Sequence, residues 1–125
     1  MRDGKALPAA VTSFYVNLLG PIRARAVELG YEIAVHGSLR NDMDLVAIPW
    51  EENAVAAEEL ADAIRVVSGG FIPNTMSSPA EVLDTKGCTY HGGRQWLIHF
   101  GGPAAVPAFI DLIVMPRRCD WEARR

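Results

Sequence analysis

Apolar residues recur along the chain with two distinct periods. In PIRARAVELG, residues 21–30, Ile22, Ala26 and Leu29 fall at i, i+4 and i+7, the spacing of one helical stripe. Pro21 suits a first helical turn and Gly30 a left-handed stop. The preceding AVTSFYVNLL, residues 10–19, reads either as a short helix or as an irregular arm. YEIAVHG, residues 31–37, sets Tyr31, Ile33 and Val35 against Glu32, Ala34 and His36, a strand of period two. DLVAIPW, residues 44–50, is almost continuously apolar, so a strand buried on both faces and ending at Pro49 is expected. EENAVAAEELADAIRVVSGG, residues 51–70, reads as a helix with acid in its first turn, a stripe through Leu60, Ile64 and Val67, and Gly69 at its end. From 71 to 93 the pattern dissolves into FIPNTMSSPAEVLDTKGCTYHGG; loops of that length in a compact domain are uncommon and often functional. RQWLIHF, residues 94–100, returns to strand character, GGPAAVP is a turn, and AFIDLIVMP, residues 108–116, is an apolar strand interrupted by one charge, Asp111.

The order helix, strand, strand, helix, long loop, strand, strand predicts an α+β (α/β) fold. It would be a small mixed sheet of about four strands with helices packed mainly on one face. A chain of 125 residues fits one domain with a real core. That domain is read as residues 1–125, with its core over about 21–118 and the long loop at 71–93. A net charge of -3 gives no basic field, so nucleic acid is not expected as a tight ligand. The local cluster Arg117, Arg118, Arg124 and Arg125 reads as a solvated tail. Cys88 and Cys119 show no metal-ligand spacing, and two free thiols are expected over a disulfide. No run approaches the ~18 apolar residues of a membrane span, and MRDGKALPAAV lacks the apolar core of a secretion signal. A soluble, cytoplasmic protein is therefore expected.

The chemistry concentrates in three aspartates. Asp42 and Asp44 flank a single methionine in HGSLRNDMDL, so on an extended backbone their side chains share a face. Two carboxylates there repel each other and lose hydration, at a cost of roughly several kcal/mol or a raised pKa. Asp111, inside an apolar strand, carries the same cost. If the last strand lies beside the one beginning at Asp44, the three converge. Oxygen-only ligands of this kind suit Mg²⁺ or Mn²⁺. Taken singly, each acid also has an ordinary structural role open to it: a turn cap for Asp42, backbone amides for Asp44, an arginine for Asp111. Gly37 allows close backbone approach to an anion, Ser38 offers a hydroxyl, and Arg40 a charge-assisted contact, together a phosphate cradle; Gly-Ser alone is simply a turn. Arg94 reads as a phosphate ligand or a strand residue. His91 and His99 fit an exposed turn and a polar strand face better than acid–base roles. His36 would orient the loop or contact phosphate. Trp50, Trp96 and Trp121 read as packing residues.

A strand ending in Gly37-Ser38, then Asp42-Met43-Asp44-Leu45 opening the next strand, then Ile110-Asp111-Leu112 on a later one, resembles the polymerase-beta-type nucleotidyltransferase superfamily. The chain is also similar to small phage-encoded proteins with an HGS…DLDLVAVPW core. The first resemblance implies a nucleotidyltransferase-like fold with a Gly-Ser loop on the triphosphate of an NTP. It implies Asp42, Asp44 and Asp111 as ligands of two metal ions, and transfer of a nucleotidyl group to a hydroxyl acceptor with release of pyrophosphate. The departures are specific. Only Leu39, Arg40 and Asn41 separate Ser38 from Asp42; such a linker spans the gap between strands but cannot also form a helix. The chain also has no room for the further domains that hold base and acceptor, which makes a protein partner or a homodimer the expectation. The alternative is a catalytically inactive relative serving as a binding or regulatory module.

Overall fold

The computed structural model describes residues 8–37, 39, 42–72, 93–100 and 108–123. Its elements are α1 (Pro8–Glu28), β1 (Tyr31–His36), β2 (Met43–Pro49), α2 (Ala57–Ser68), β3 (Arg94–Phe100), β4 (Ala108–Val114) and a short α3 (Arg118–Ala123). The four strands form one mixed sheet in the order β1-β2-β4-β3. β1 and β2 pair antiparallel, β2 and β4 parallel, and β4 and β3 antiparallel. The expected small mixed sheet with helices on one face is thus present. Residues 73–92, most of the expected long loop, lie outside the described residues.

α1 is longer than the expected helix from Pro21. It runs unbroken through Gly20 and Pro21, because the apolar stripe keeps phase across the proline. Tyr15, Ile22 and Ala26 are buried, with Leu18, Leu19 and Leu29 packed against them. Pro21 and Asn17 both face solvent, so the carbonyl that loses its amide partner at Pro21 lies where water can reach it. The helix stops at Gly30, whose φ of +95° is a left-handed conformation. A Cβ there would lie 2.7 Å from the Ala54 Cα, so Gly30 is also a point of close backbone approach. Around it the Leu29 carbonyl accepts from the Val55 amide at 3.1 Å, and the Gly30 carbonyl from the Trp50 amide at 3.0 Å. The Tyr31 hydroxyl donates to the Val55 carbonyl at 2.7 Å. These bonds hold residues 50–55 against the α1–β1 turn, and α2 therefore starts at Ala57 rather than near Glu51.

The helices cover one face of the sheet. Its core residues are Tyr31 and Ile33 of β1, Met43, Leu45 and Ala47 of β2, Ile110, Leu112 and Val114 of β4, and Trp96 and Ile98 of β3, closed by Leu60 and Ile64 of α2. β2 is not buried on both faces as its composition suggested. Val46 is only partly covered and Ile48 is 45% exposed, because no described helix lies over the second face. Val67, expected in the α2 stripe, is 37% exposed and outside the core, and Ala57 and Ala61 complete the buried side instead. Trp96 is buried as expected, whereas Trp50 is exposed. Arg117 is not part of a solvated tail. Its guanidinium pairs with Asp120 at 2.9 Å and donates to the Ala54 carbonyl at 3.2 Å, tying α3 to the segment before α2. Cys119 is a free, exposed thiol; Cys88, Arg124 and Arg125 lie outside the described residues. Among the described residues, no helix is long and apolar enough to cross a membrane.

Candidate metal centre

The open face of the sheet carries the polar chemistry. Odd positions of β2 and even positions of β4 turn toward the helices, so Asp44 and Asp111 point the other way. The parallel register sets Asp44 directly beside Asp111. Asp42 precedes β2 by one residue and lies two residues before Asp44, on the same face. Carboxylate oxygens of Asp42, Asp44 and Asp111 lie within 4.8 Å of one another, and all three side chains are partly buried. The row continues sideways: His36 of β1 is the cross-strand partner of Asp44, and Leu97 of β3 that of Asp111.

This crowding raises the acids. The Asp44 carboxyl is pushed up to about 6, first by burial, then by a hydrogen bond shared with Asp42 and by the charges of Asp42 and Asp111; His36 opposes the rise. Asp111 is raised by burial and by Asp42, against the lowering effects of a hydrogen bond from Gln95 and of His36. That bond, from the Gln95 side-chain nitrogen to Asp111 Oδ1, is 2.7 Å long. Neighbouring carboxylates whose proton affinity is raised by burial and by nearby acid charge have the electrostatics that favour a cation. Three clustered carboxylate oxygens, the one such donor group among the described residues, form a hard donor set that suits an oxygen-seeking divalent ion.

The other expected site residues fare differently. Gly37 ends β1 with φ +87°, but the anion it faces is internal: a Cβ there would sit 2.8 Å from Asp44 Oδ2. Ser38, Arg40 and His91 lie outside the described residues. Arg94 is not available to a ligand of the acidic cluster. It projects on the helix side of the sheet, where it forms an ion pair with Glu58 and packs 5.0 Å from the Trp96 ring centroid. The pair also lowers Glu58, chiefly through the hydrogen bond from Arg94. His99 occupies the open face, stacked on Phe109 at 5.7 Å and flanked by Phe71. Two contributors were missed in the sequence. Gln95 shares a face with His99 by simple alternation, a legible signal. Its diagonal reach to Asp111 depends on the β3–β4 register, which the sequence does not specify. Tyr15, whose hydroxyl accepts from the Phe109 amide at 3.0 Å, gave no sign beyond its place in an apolar stripe.

No family model matches the chain, and no curated protein or solved structure is significantly similar to it. The fold is therefore described as a small α+β domain with a clustered-acid face.

Proposed function

We propose that Asp42, Asp44 and Asp111 hold Mg²⁺ or Mn²⁺, and that the protein is a minimal nucleotidyltransferase-like enzyme. Its reaction would move a nucleotidyl group from an NTP to a hydroxyl acceptor. The observation that carries the reading is the side-by-side register of Asp44 and Asp111 on the open sheet face, with Asp42 completing the set. Like charges on neighbouring strands destabilise a sheet, and a divalent ion removes that cost. When bound, such ions polarise phosphoryl oxygens and clamp the attacking and leaving oxygens of an in-line displacement. The chain itself contributes the rest. Asp44 and Asp111 are held by ladders on both sides, Gln95 fixes one oxygen of Asp111, and His36 is the cross-strand neighbour of Asp44.

A second reading is favoured by Gly37. Its close approach is used by the Asp44 carboxylate, so less of the turn is free to cradle a phosphate. In that reading the domain binds a divalent ion without catalysis and serves as a regulatory or binding module.

Calorimetric titration with Mn²⁺ tests the metal site. Wild type is expected to bind, and Asp111→Asn to weaken binding at least about tenfold, since a ligand's negative charge is lost; identical isotherms would sink the proposal. Pyrophosphate release from each NTP in the presence of Mn²⁺ then separates the enzyme from the binding module.

A further inference from the structure

Two of the three acids owe their place to the sheet, and the third does not. Asp44 and Asp111 sit inside hydrogen-bonded ladders. Asp42 lies just outside β2, which begins at Met43, so another part of the molecule must fix it. The nearest described turn residue, Leu39, has φ +61°. For a non-glycine residue that conformation costs roughly 1–2 kcal/mol, so the turn relaxes unless it is tethered. The tether comes from α1, on the far side of the sheet. The Thr12 hydroxyl donates to the Leu39 carbonyl at 3.0 Å, and the partly buried Leu39 side chain packs against the core. Three residues along the same helix face, the fully buried Tyr15 accepts from the Phe109 amide at 3.0 Å. Because Met43 is registered with Ile110, Phe109 is the β4 neighbour of Asp42. The Tyr15 hydroxyl thus closes the parallel ladder where Asp42 begins. The charges of Asp42 and Asp44 reach this phenol and help raise it, after the larger effect of burial.

We infer that Thr12 and Tyr15 of α1 are positioning residues that set the Asp42 carboxylate against Asp44 and Asp111 by holding the Leu39 turn and the end of the β2–β4 ladder. This rests on the acids being a metal site. Neither residue touches the ion; both act through main chain.

The test is Mn²⁺ affinity, read by calorimetry, in Thr12→Val, Thr12→Ser, Tyr15→Phe and, as a control on the same helix, Ile22→Val. Thr12→Val and Tyr15→Phe are expected to weaken binding by about tenfold, the lower end for groups that orient metal ligands. Thr12→Ser, which keeps the hydroxyl, should bind as wild type does. Ile22→Val should lower the unfolding midpoint and leave affinity unchanged. If Thr12→Val and Tyr15→Phe lower stability while binding Mn²⁺ like wild type, the inference is overturned. If wild type binds no Mn²⁺, the metal reading fails, and the tether is judged in metal-free protein by backbone amide shifts. Movement of Gly37, Leu39 and Asp42 in both variants supports it, and unmoved resonances overturn it.

Discussion

Removing the charge of Asp44 gives the sharpest test of the electrostatics. Its carboxyl stands at about 6 in the folded chain against an ordinary aspartate value of 3.8. Between those values the folded state holds a proton that the unfolded state has released. Stability from this group is fully present below about pH 3.8 and is lost as pH rises through about 6. A rise from 3.8 to about 6 corresponds to about 3 kcal/mol as an upper bound. Because the side chain is only partly buried, solvent screening brings the expected loss to about 1–2 kcal/mol. Asp111 is raised too and acts in the same direction.

The assay is urea unfolding, followed by tryptophan fluorescence in the presence of a chelator, at about pH 4.5 and pH 7. Wild type should lose about 1–2 kcal/mol between the two, and Asp44→Asn should lose distinctly less. Glu58 and Asp120 are lowered, each first by a hydrogen bond from an arginine. Their stability is present above the unfolded carboxylate value and lost as pH falls through the folded one. They oppose the trend only at the acid end and cancel between wild type and variant, being remote from Asp44. Saturating Mn²⁺ at pH 7 should restore the wild type, by about 2.7 kcal/mol at a hundredfold excess over Kd, and should not do so in Asp44→Asn. Parallel pH profiles for the two proteins in chelator would refute the crowding of these carboxylates.

Gly30→Ala should destabilise the fold by at least about 2 kcal/mol, combining the left-handed penalty with overpacking, because its new Cβ would lie 2.7 Å from the Ala54 Cα; a chemical unfolding curve within error of wild type would contradict the close approach. Ile64→Ala, at the fully buried centre of the α2 face, should cost about 2–5 kcal/mol without changing Mn²⁺ affinity. A loss of metal binding in the folded Ile64→Ala variant would show that packing of α2 also positions the acids.

β1 was legible because its side chains alternate, β2 and β4 because they are short, nearly continuous apolar runs, and the acids because charge inside an apolar run needs a reason. Asp111 in AFIDLIVM stood out as a charge that burial in an apolar strand penalises. Its neighbour across the parallel ladder is Asp44, which is what convergence of the three carboxylates required. What escaped the sequence was non-local. Gly20-Pro21 reads as a break, but the stripe from Tyr15 to Ile22 continues across it, and burial of that stripe outweighs one lost backbone bond. The start of α2 was misplaced because the amides of Trp50 and Val55 are taken by carbonyls at the α1–β1 turn, a contact between segments that no local pattern encodes. Arg94 looked available for phosphate because its ion-pair partner Glu58 becomes a neighbour only when α2 docks on β3.

The uncovered face misled most. Val46, Ile48 and Ile113 make β2 and β4 read as buried on both sides, yet on the open side Ile48 is 45% exposed. A central parallel pair is ordinarily covered on both faces; here the second face of that pair holds the carboxylates instead. Val46 and Ile113 lie two residues along from Asp44 and Asp111 on that face and are partly covered. Partial burial is the largest cause of the raised carboxyls of both acids, a desolvation that also strengthens the pull on a cation. The same side chains that disguised the open face in the sequence therefore sharpen the site that occupies it.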